Sequence, residues 1–216
     1  MKRVITIGAI LVVLSGCMSM SFKGMYKMAT LDPLAIEPSE LRLALRTDQV
    51  VKVKTGSVTM QLEFTVPAHK HLPSLERKHK FDIEVKQFDV NQSSNMGEAE
   101  TKMAHQLPEI LLDGIQVNEQ VTLLYLSPQD AEAMAETQAQ IKKYKAAGAK
   151  GKGMLSFDFN ESCLLNTEQM VSLPVDLFLK TAKGEEFFMF FEDLDVVKQA
   201  SERDVDLKQI NRCDVG

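Results

Sequence analysis

Three histidines lie within eleven residues and are the strongest candidates for metal chemistry in the chain. His69 and His71 stand two residues apart in the segment AHKHL, and His79 follows. Alternate positions of a strand point to one face, where two imidazoles can bind Zn²⁺ or Cu²⁺. A catalytic zinc site needs a third ligand, and no cysteine or carboxylate follows the pair at a sequence spacing typical of zinc ligands. Since Pro67 and Pro73 bracket the pair, we expect a solvated hairpin loop and predict no metal or cofactor.

Five lysines near the end of a predicted helix form a basic patch on an acidic chain. The candidates for partner binding are Lys142, Lys143 and Lys145, with Lys150 and Lys152 close behind. Such a cluster can contact anionic lipid headgroups or a polyanionic envelope polymer. The alternative is structural, because cations at the C-terminus of a helix complement its dipole. The net charge of −5 gives the chain no electrostatic reason to bind nucleic acid, which is excluded as a partner.

Acidic and sulfur-bearing side chains are weaker metal candidates. The acidic residues near the end of the chain are Asp193, Asp195, Asp204 and Asp206. They lack the glycine and terminal glutamate of a Ca²⁺-binding EF-hand loop, so we expect a solvated surface. Met18, Met25 and Met28 fall at helical spacing, where thioethers suit Cu(I), but such residues more often pack adaptably. Gly-x-Ser-x-Gly, His-Glu-x-x-His and phosphate-loop motifs are all absent, so no catalytic residue is predicted.

The first seventeen residues carry a different kind of chemistry, centred on a cysteine. Lys2 and Arg3 form a positively charged N-terminal region, and residues 4–14 form an apolar run of 11 residues. A membrane-spanning helix needs about 20 apolar residues, whereas this run has the length of a signal-peptide core. The small residues Ser15 and Gly16 then precede Cys17. The arrangement predicts a signal peptide at residues 1–16.

The tetrapeptide Leu14-Ser15-Gly16-Cys17 resembles the lipobox of bacterial lipoproteins. The resemblance implies that the Cys17 thiol forms a thioether to diacylglycerol, and that the chain is cut before Cys17. The new amine is then acylated, with a fatty acid such as palmitate. Two or three acyl chains give a stable membrane anchor. In such lipoproteins an aspartate after the cysteine retains the protein at the inner membrane, so Met18 implies the outer membrane, with the chain facing the periplasm.

From residue 41 onward apolar and polar residues alternate, which is typical of half-buried strands. Strands are predicted at 58–66 and 172–179, with the even residues of the first and the odd residues of the second facing the core. The run KFDIEVKQFDV shifts phase, which predicts a bulge near Gln87. The run EEFFMFFEDLDV carries phenylalanine on both faces and predicts a central strand. A hairpin turn is predicted just before it, at Lys183-Gly184.

One helix is predicted at about 127–147, with Ser127 as N-cap, Asp130 in the capping-box position and Gly148 closing the C-terminus. A weaker helical stretch covers 97–107. Seven to nine strands and one clear helix predict a mainly β fold, an antiparallel β-sandwich with one inserted α-helix. With 216 residues, the chain divides into the signal peptide 1–16, a lipidated tether 17–40 and a β-sandwich domain 41–216.

Two segments of the mature chain resemble a family of uncharacterised bacterial lipoproteins. They are MYKMATLDPLAIEPSELRLALR, after the lipobox, and LPVDLFLKTAKGEEFFMFFEDLDV, near the end. The resemblance implies a lipid anchor and a β-rich periplasmic domain, and it implies no activity.

The other two cysteines are Cys163 and Cys213. The compartment beyond a signal peptide is oxidising, so the two are predicted to form a disulfide that pins the C-terminal tail. Such a bond closes a loop of about 50 residues and contributes at most about 4 kcal/mol. A redox or metal pair is the alternative, but the cysteines are far apart and no Cys-x-x-Cys is present.

Three functions remain open. The favoured one is an outer-membrane lipoprotein whose body is a non-catalytic binding or accessory module for an envelope protein, a lipid or an envelope polymer. An unrecognised envelope hydrolase is the first alternative. A lipid carrier with an apolar cavity is the second, favoured by the 11 phenylalanines and 12 methionines. Catalysis needs polar groups that converge in a pocket. Three histidines that point separately into solvent would therefore favour the non-catalytic module.

Overall fold

The computed structural model describes residues 22–53, 55–56, 58–88, 107–159, 163–164 and 171–202. Four helices are described: α1 (Phe22–Thr30), α2 (Glu109–Leu112), α3 (Pro128–Ala146) and α4 (Val196–Glu202). The strands of the first half are β1 (Arg42–Asp48), β2 (Val51–Lys52), β3 (Val58–Val66) and β4 (Leu75–Phe88). Those of the second half are β5 (Glu119–Leu126), β6 (Lys152–Phe159), β7 (Cys163–Leu164), β8 (Pro174–Lys180) and β9 (Phe188–Asp195).

Seven of the strands form one curled antiparallel sheet in the order β6-β3-β4-β5-β1-β8-β9, and β2 pairs with β7 beside it. The mainly β class is therefore confirmed. The sandwich is not confirmed, because the described strands give one large curled sheet rather than two large sheets stacked face to face.

The main core lies on one face of this sheet. The pairing places Leu179 opposite Leu43 and Leu43 opposite Leu124, so leucines from β8, β1 and β5 form a continuous row. Met60 and Phe81 pair in the same way between β3 and β4, and both are buried. The predicted alternation of β3 is confirmed at Met60, Leu62 and Val66, which are all buried.

A second cluster covers the opposite face of the sheet, and it corrects the predicted bulge near Gln87. Strand β4 pairs with β5 from Ile83 to Phe88 without a register shift. Phe88 is buried beside Val121 and Phe178, on the face opposite Ile83. The change of phase in the sequence therefore marks the point where the buried face of β4 switches, because α2 and the residues around it cover the second face there.

Strand β9 was expected in the centre of the sheet and lies at its edge instead. Phenylalanine is indeed buried on both sides, since Phe187 joins the second cluster and Phe188 joins the main core. Helix α1 packs beside this strand, with the Lys27 ammonium 4.6 Å from the centre of the Phe188 ring. Cover from a helix, rather than from a further strand, explains the apolar composition. The predicted turn is present, with Gly184 at φ 78°.

Helix α3 confirms the prediction of a helix at about 127–147. The Ser127 hydroxyl accepts a hydrogen bond from the Asp130 backbone N–H at 3.1 Å, as the capping residues predict. At the other end the Gly148 and Ala149 N–H groups donate to the carbonyls of Lys145 and Tyr144, both at 3.0 Å, with Gly148 at φ 86°. These two bonds form a Schellman motif, which satisfies carbonyls that the helix leaves unpaired.

The segment after α1 is held on the body. Ile36 is buried in the main core, and the Gln138 side-chain amide of α3 donates to the Pro33 and Ile36 carbonyls at 2.9 and 3.0 Å. The Glu37 N–H donates to the Thr181 carbonyl at 2.9 Å. The second half of the predicted tether 17–40 therefore packs against the domain.

Several predictions concern residues outside the described ones. These are the signal peptide, Cys17 and Met18, residues 97–106 of the weaker helix, Asp204 and Asp206, and Cys213 with the Cys163 side chain. Within the described ranges, none of the helices combines the length and the apolar character that crossing a membrane requires.

Candidate functional site

An apolar groove runs between α3, the end of β3, the start of β6 and the loop at 31–34. Its volume is about 640 Å³, within the range of about 300–1,000 Å³ that is usual for sites that bind small molecules. Its apolar lining consists of Pro33, Leu34, Leu62, Phe64, Val66, Ile141, Tyr144, Ala149 and Met154. Phe64, Leu34 and Tyr144 are only half-buried, although they pack against the buried Val66 and Ile141.

Two glycines keep one wall of the groove next to the Phe64 ring. Gly153 pairs with Phe64 across the β3–β6 ladder, so the two residues share one face of the sheet. A Cβ on Gly153 would lie 2.9 Å from Phe64 Cδ2, and one on Gly151 would lie 2.7 Å from Phe64 Cζ. The Phe64 ring and, at Gly151, the Val66 side chain therefore occupy space that a side chain on either glycine would need.

The charged groups at the groove are two lysines and one aspartate. Lys145 of α3 pairs with Asp32 of the 31–34 loop at 3.1 Å, and Lys150 also lines the groove. The Leu34 N–H and the Lys145 ammonium bond to Asp32 and together hold the pKa of its carboxyl below 3.8. Within the described part of the chain, no carboxylate pairs with the exposed Lys150. The Gln138 amide, which also faces the groove, is satisfied by its two backbone carbonyls.

The three histidines do not converge. His69 donates a hydrogen bond from Nε2 to the Ala147 carbonyl at 3.1 Å, and Lys70 donates to the same oxygen at 3.0 Å. His69 therefore caps the C-terminus of α3. His71 is exposed, and the His79 ring packs on Phe81 with 5.7 Å between centroids. Among the residues that the structure describes, no group of three or more His, Cys, Asp or Glu side chains could hold a metal ion.

The predicted lysine patch divides into two parts. Lys145 is the member whose ammonium forms an ion pair, and it lies at the groove. Lys142 and Lys143 are exposed on the same turn of α3 and point toward solvent. Among the weaker acidic candidates, the Asp195 carboxylate has a structural role. Asp195 accepts hydrogen bonds from the N–H groups of Val197 and Lys198 at the start of α4, at 3.0 and 3.2 Å.

A buried ion pair lies away from the groove, on the face of the second cluster. Arg46 of β1 donates to one oxygen of Asp176 on β8, through Nε at 2.8 Å and through Nη2 at 2.5 Å. The other Asp176 oxygen accepts the Asp193 N–H at 2.7 Å, and Arg46 also donates to the Asp113 carbonyl. The guanidinium lies 5.6 Å from the centre of the Phe178 ring. This network joins β1, β8, β9 and the residue after α2, so its role is to tie the sheet together.

The groove was not predicted from the sequence, although one signal pointed to it. The sequence KGKG places glycine at alternate positions at the start of a strand, where a missing side chain leaves room on one face. Phe64 was correctly expected on the core face of β3, but its partner in β6 lies some 90 residues further along the chain.

Comparison of the chain with protein-family models, with curated proteins and with solved structures found no match in any of the three.

Proposed function

We propose that this chain is a lipid-anchored protein of the bacterial outer membrane, acylated at Cys17, whose body is a non-catalytic binding module facing the periplasm. The anchor rests on the sequence of residues 1–17, with its positive start, short apolar run and Leu-Ser-Gly-Cys. Acyl chains on Cys17 hold the body at the bilayer surface, a few residues before α1 begins.

The apolar groove is the observation that carries the binding role. Its lining is predominantly apolar, and its charged groups are two lysines and one carboxylate that is already paired with Lys145. A groove of this kind favours affinity for an apolar ligand over acid–base chemistry, which needs titratable groups within hydrogen-bond reach of a substrate. The three histidines lie apart, and two of them have contacts that belong to the fold.

Mass spectrometry of the protein extracted from envelopes tests the anchor. The mature N-terminal residue is expected to be Cys17 carrying diacylglycerol and an amide-linked fatty acid. Cys17→Ala should abolish this mass and release the chain from the membrane fraction. Ser15→Ala is the matched control, because alanine also fits the lipobox, and it should leave acylation intact. An unmodified N-terminus at another residue contradicts the proposal.

Photo-crosslinking in intact envelopes tests the binding role. A photoreactive phenylalanine analogue is placed at Tyr144, which lines the groove, and in a control variant at Val117. Val117 is 82% exposed and lies before β5, whereas α3 follows the other end of that strand. An adduct of defined mass is expected at Tyr144 and not at Val117. The same adducts at both positions contradict a ligand site in the groove.

A further inference from the structure

We propose that the groove binds a long-chain fatty acid, with the alkyl chain along the Phe64 and Ile141 side and the carboxylate at Lys150 and Lys145. The inference rests on the binding role proposed above and names its ligand. Five observations carry it: the volume of the groove, its apolar lining, the glycine-lined wall, the half-buried aromatic rings and the two lysines in the lining.

The shape and lining of the groove fit one alkyl chain. Phe64 and Tyr144 present ring surface that the fold itself leaves half-buried, beside the buried Val66 and Ile141. An alkyl chain laid against these rings removes the remaining apolar surface from water, which is the main source of affinity in such a site. Gly151 and Gly153 bring their backbone against the Phe64 ring without side chains of their own, while Met154 of β6 joins the lining.

The charges at the groove select an anion. Lys150 lines the groove, and among the described residues it has no carboxylate partner. Lys145 is held at the groove by its ion pair with Asp32. The groove lining therefore holds two ammonium groups and one carboxylate, so an added carboxylate makes the local charge more balanced. A neutral apolar ligand of the same length lacks this contribution.

The chain has no tryptophan, so a single introduced tryptophan reports on one place. The test uses the full chain with Cys17→Ala, purified without detergent, and palmitic acid brominated on the alkyl chain as the probe and quencher. Tyr144→Trp places the reporter at the groove, and Val117→Trp is the control. Saturable quenching is expected at position 144, with little change at position 117.

Two matched lysine variants separate an effect at the groove from an effect of the protein's net charge. Lys150→Glu should weaken binding at least tenfold, whereas Lys143→Glu changes net charge equally on an exposed side chain and should change binding less than twofold.

The affinity should also rise about threefold to fourfold with each added methylene of the ligand until the groove is full, as expected for burial of alkyl surface. Hexadecanol, which has the same chain without the charge, should bind at least tenfold more weakly than palmitate.

Four results would overturn the inference: no saturable quenching at position 144, equal quenching of both reporters, equal binding of hexadecanol and palmitate, or equal effects of Lys150→Glu and Lys143→Glu. An adduct at Tyr144 that has the mass of a polypeptide overturns it as well, while leaving a binding role for the groove. Because the binding test uses unacylated protein, its failure is independent of the anchor. If wild-type protein from envelopes carries no acyl group on Cys17 while fatty acid binding is observed, the proposed anchor is contradicted and the inference stands.

Discussion

The groove and the second cluster are built on the same sheet and differ in how they are closed. The second cluster is sealed by α2 and by the Arg46–Asp176 network, and Phe178 at its centre is 0% exposed. At the groove the aromatic residues remain half-buried, and the ion pair between Lys145 and Asp32 is exposed. Aromatic residues are therefore fully buried in the second cluster, where they stabilise the fold, and keep exposed apolar surface at the groove.

The largest expected effect comes from the centre of the second cluster. Phe178→Ala removes a fully buried ring and should lower the free energy of unfolding by about 3–5 kcal/mol. Phe64→Ala, at the groove, should cost about half as much, because the ring is already partly solvated in the native state. Urea unfolding monitored by circular dichroism measures both. Equal losses would show that the groove is as tightly packed as the second cluster.

The next effect separates a buried ion pair from an exposed one. Asp176→Asn removes the nearer carboxylate of Arg46 and leaves Glu119 at 4.0 Å, at a site where the Arg46 and Asp176 side chains are about one-tenth exposed, and should cost about 3 kcal/mol. Asp32→Asn breaks a pair whose side chains are 49% and 64% exposed, and should cost less than about 1 kcal/mol. Added salt should leave the first loss nearly unchanged. A loss below 1 kcal/mol for Asp176→Asn would mean that water reaches the Arg46 guanidinium.

A smaller effect tests whether the glycine in the groove wall is required. Gly153→Ala forces the new Cβ against the Phe64 ring and should cost about 1–3 kcal/mol through overpacking. Phe64→Leu in the same chain should recover part of this loss, because the smaller side chain leaves room for the methyl group. A double-mutant cycle measures the coupling between the two positions. Additive losses would mean that the methyl group finds space without moving the ring.

Elements whose signals are local were predicted well, and features that depend on partners distant in the chain were not. Ser127, Asp130 and Gly148 bracket α3 because capping is decided within a few residues. The edge position of β9 depends instead on the order of strands in the sheet. Phe88 changes face because α2, which lies beyond residue 107, covers that side.

The candidate site shows the same limit. The lysines of α3 were found from their spacing, but only the fold shows that Lys145 reaches Asp32 and that Lys150 lines a groove. The histidine pattern suggested metal ligands because sequence spacing alone does not reveal that His69 caps a helix end built 78 residues further along the chain. The alternating glycines Gly151 and Gly153 are explained only by the pairing of β3 with β6, which puts Phe64 opposite Gly153.

The smallest effect concerns two carboxylates whose pKa values are both lowered, Asp32 at the groove and Asp195 at the start of α4. Burial alone would raise the pKa of Asp195, but hydrogen bonds from the Leu173 N–H, the Ser172 hydroxyl and two N–H groups of α4 outweigh it and hold the pKa below 3.8. A carboxyl with a depressed pKa in the folded state stabilises the protein above its unfolded pKa, and this contribution is lost as the pH falls through about 4 and below. Asp195→Asn should therefore flatten the decline of stability below pH 4, at a cost of about 1 kcal/mol at pH 7 for the weakened cap.

Asp32→Asn should flatten that decline less, because the carboxyl is half-exposed and its lysine partner is screened by salt. Urea unfolding of both variants between pH 2.5 and 7, at about 0.02 M and about 0.5 M salt, measures the difference, since at the higher concentration screening acts within a few ångströms. The Asp195 effect should persist at high salt, because its partners are backbone N–H groups and a hydroxyl rather than mobile charges. If salt removes both effects equally, the hydrogen bonds to Asp195 contribute little, and this end of the sheet is as open to solvent as the groove.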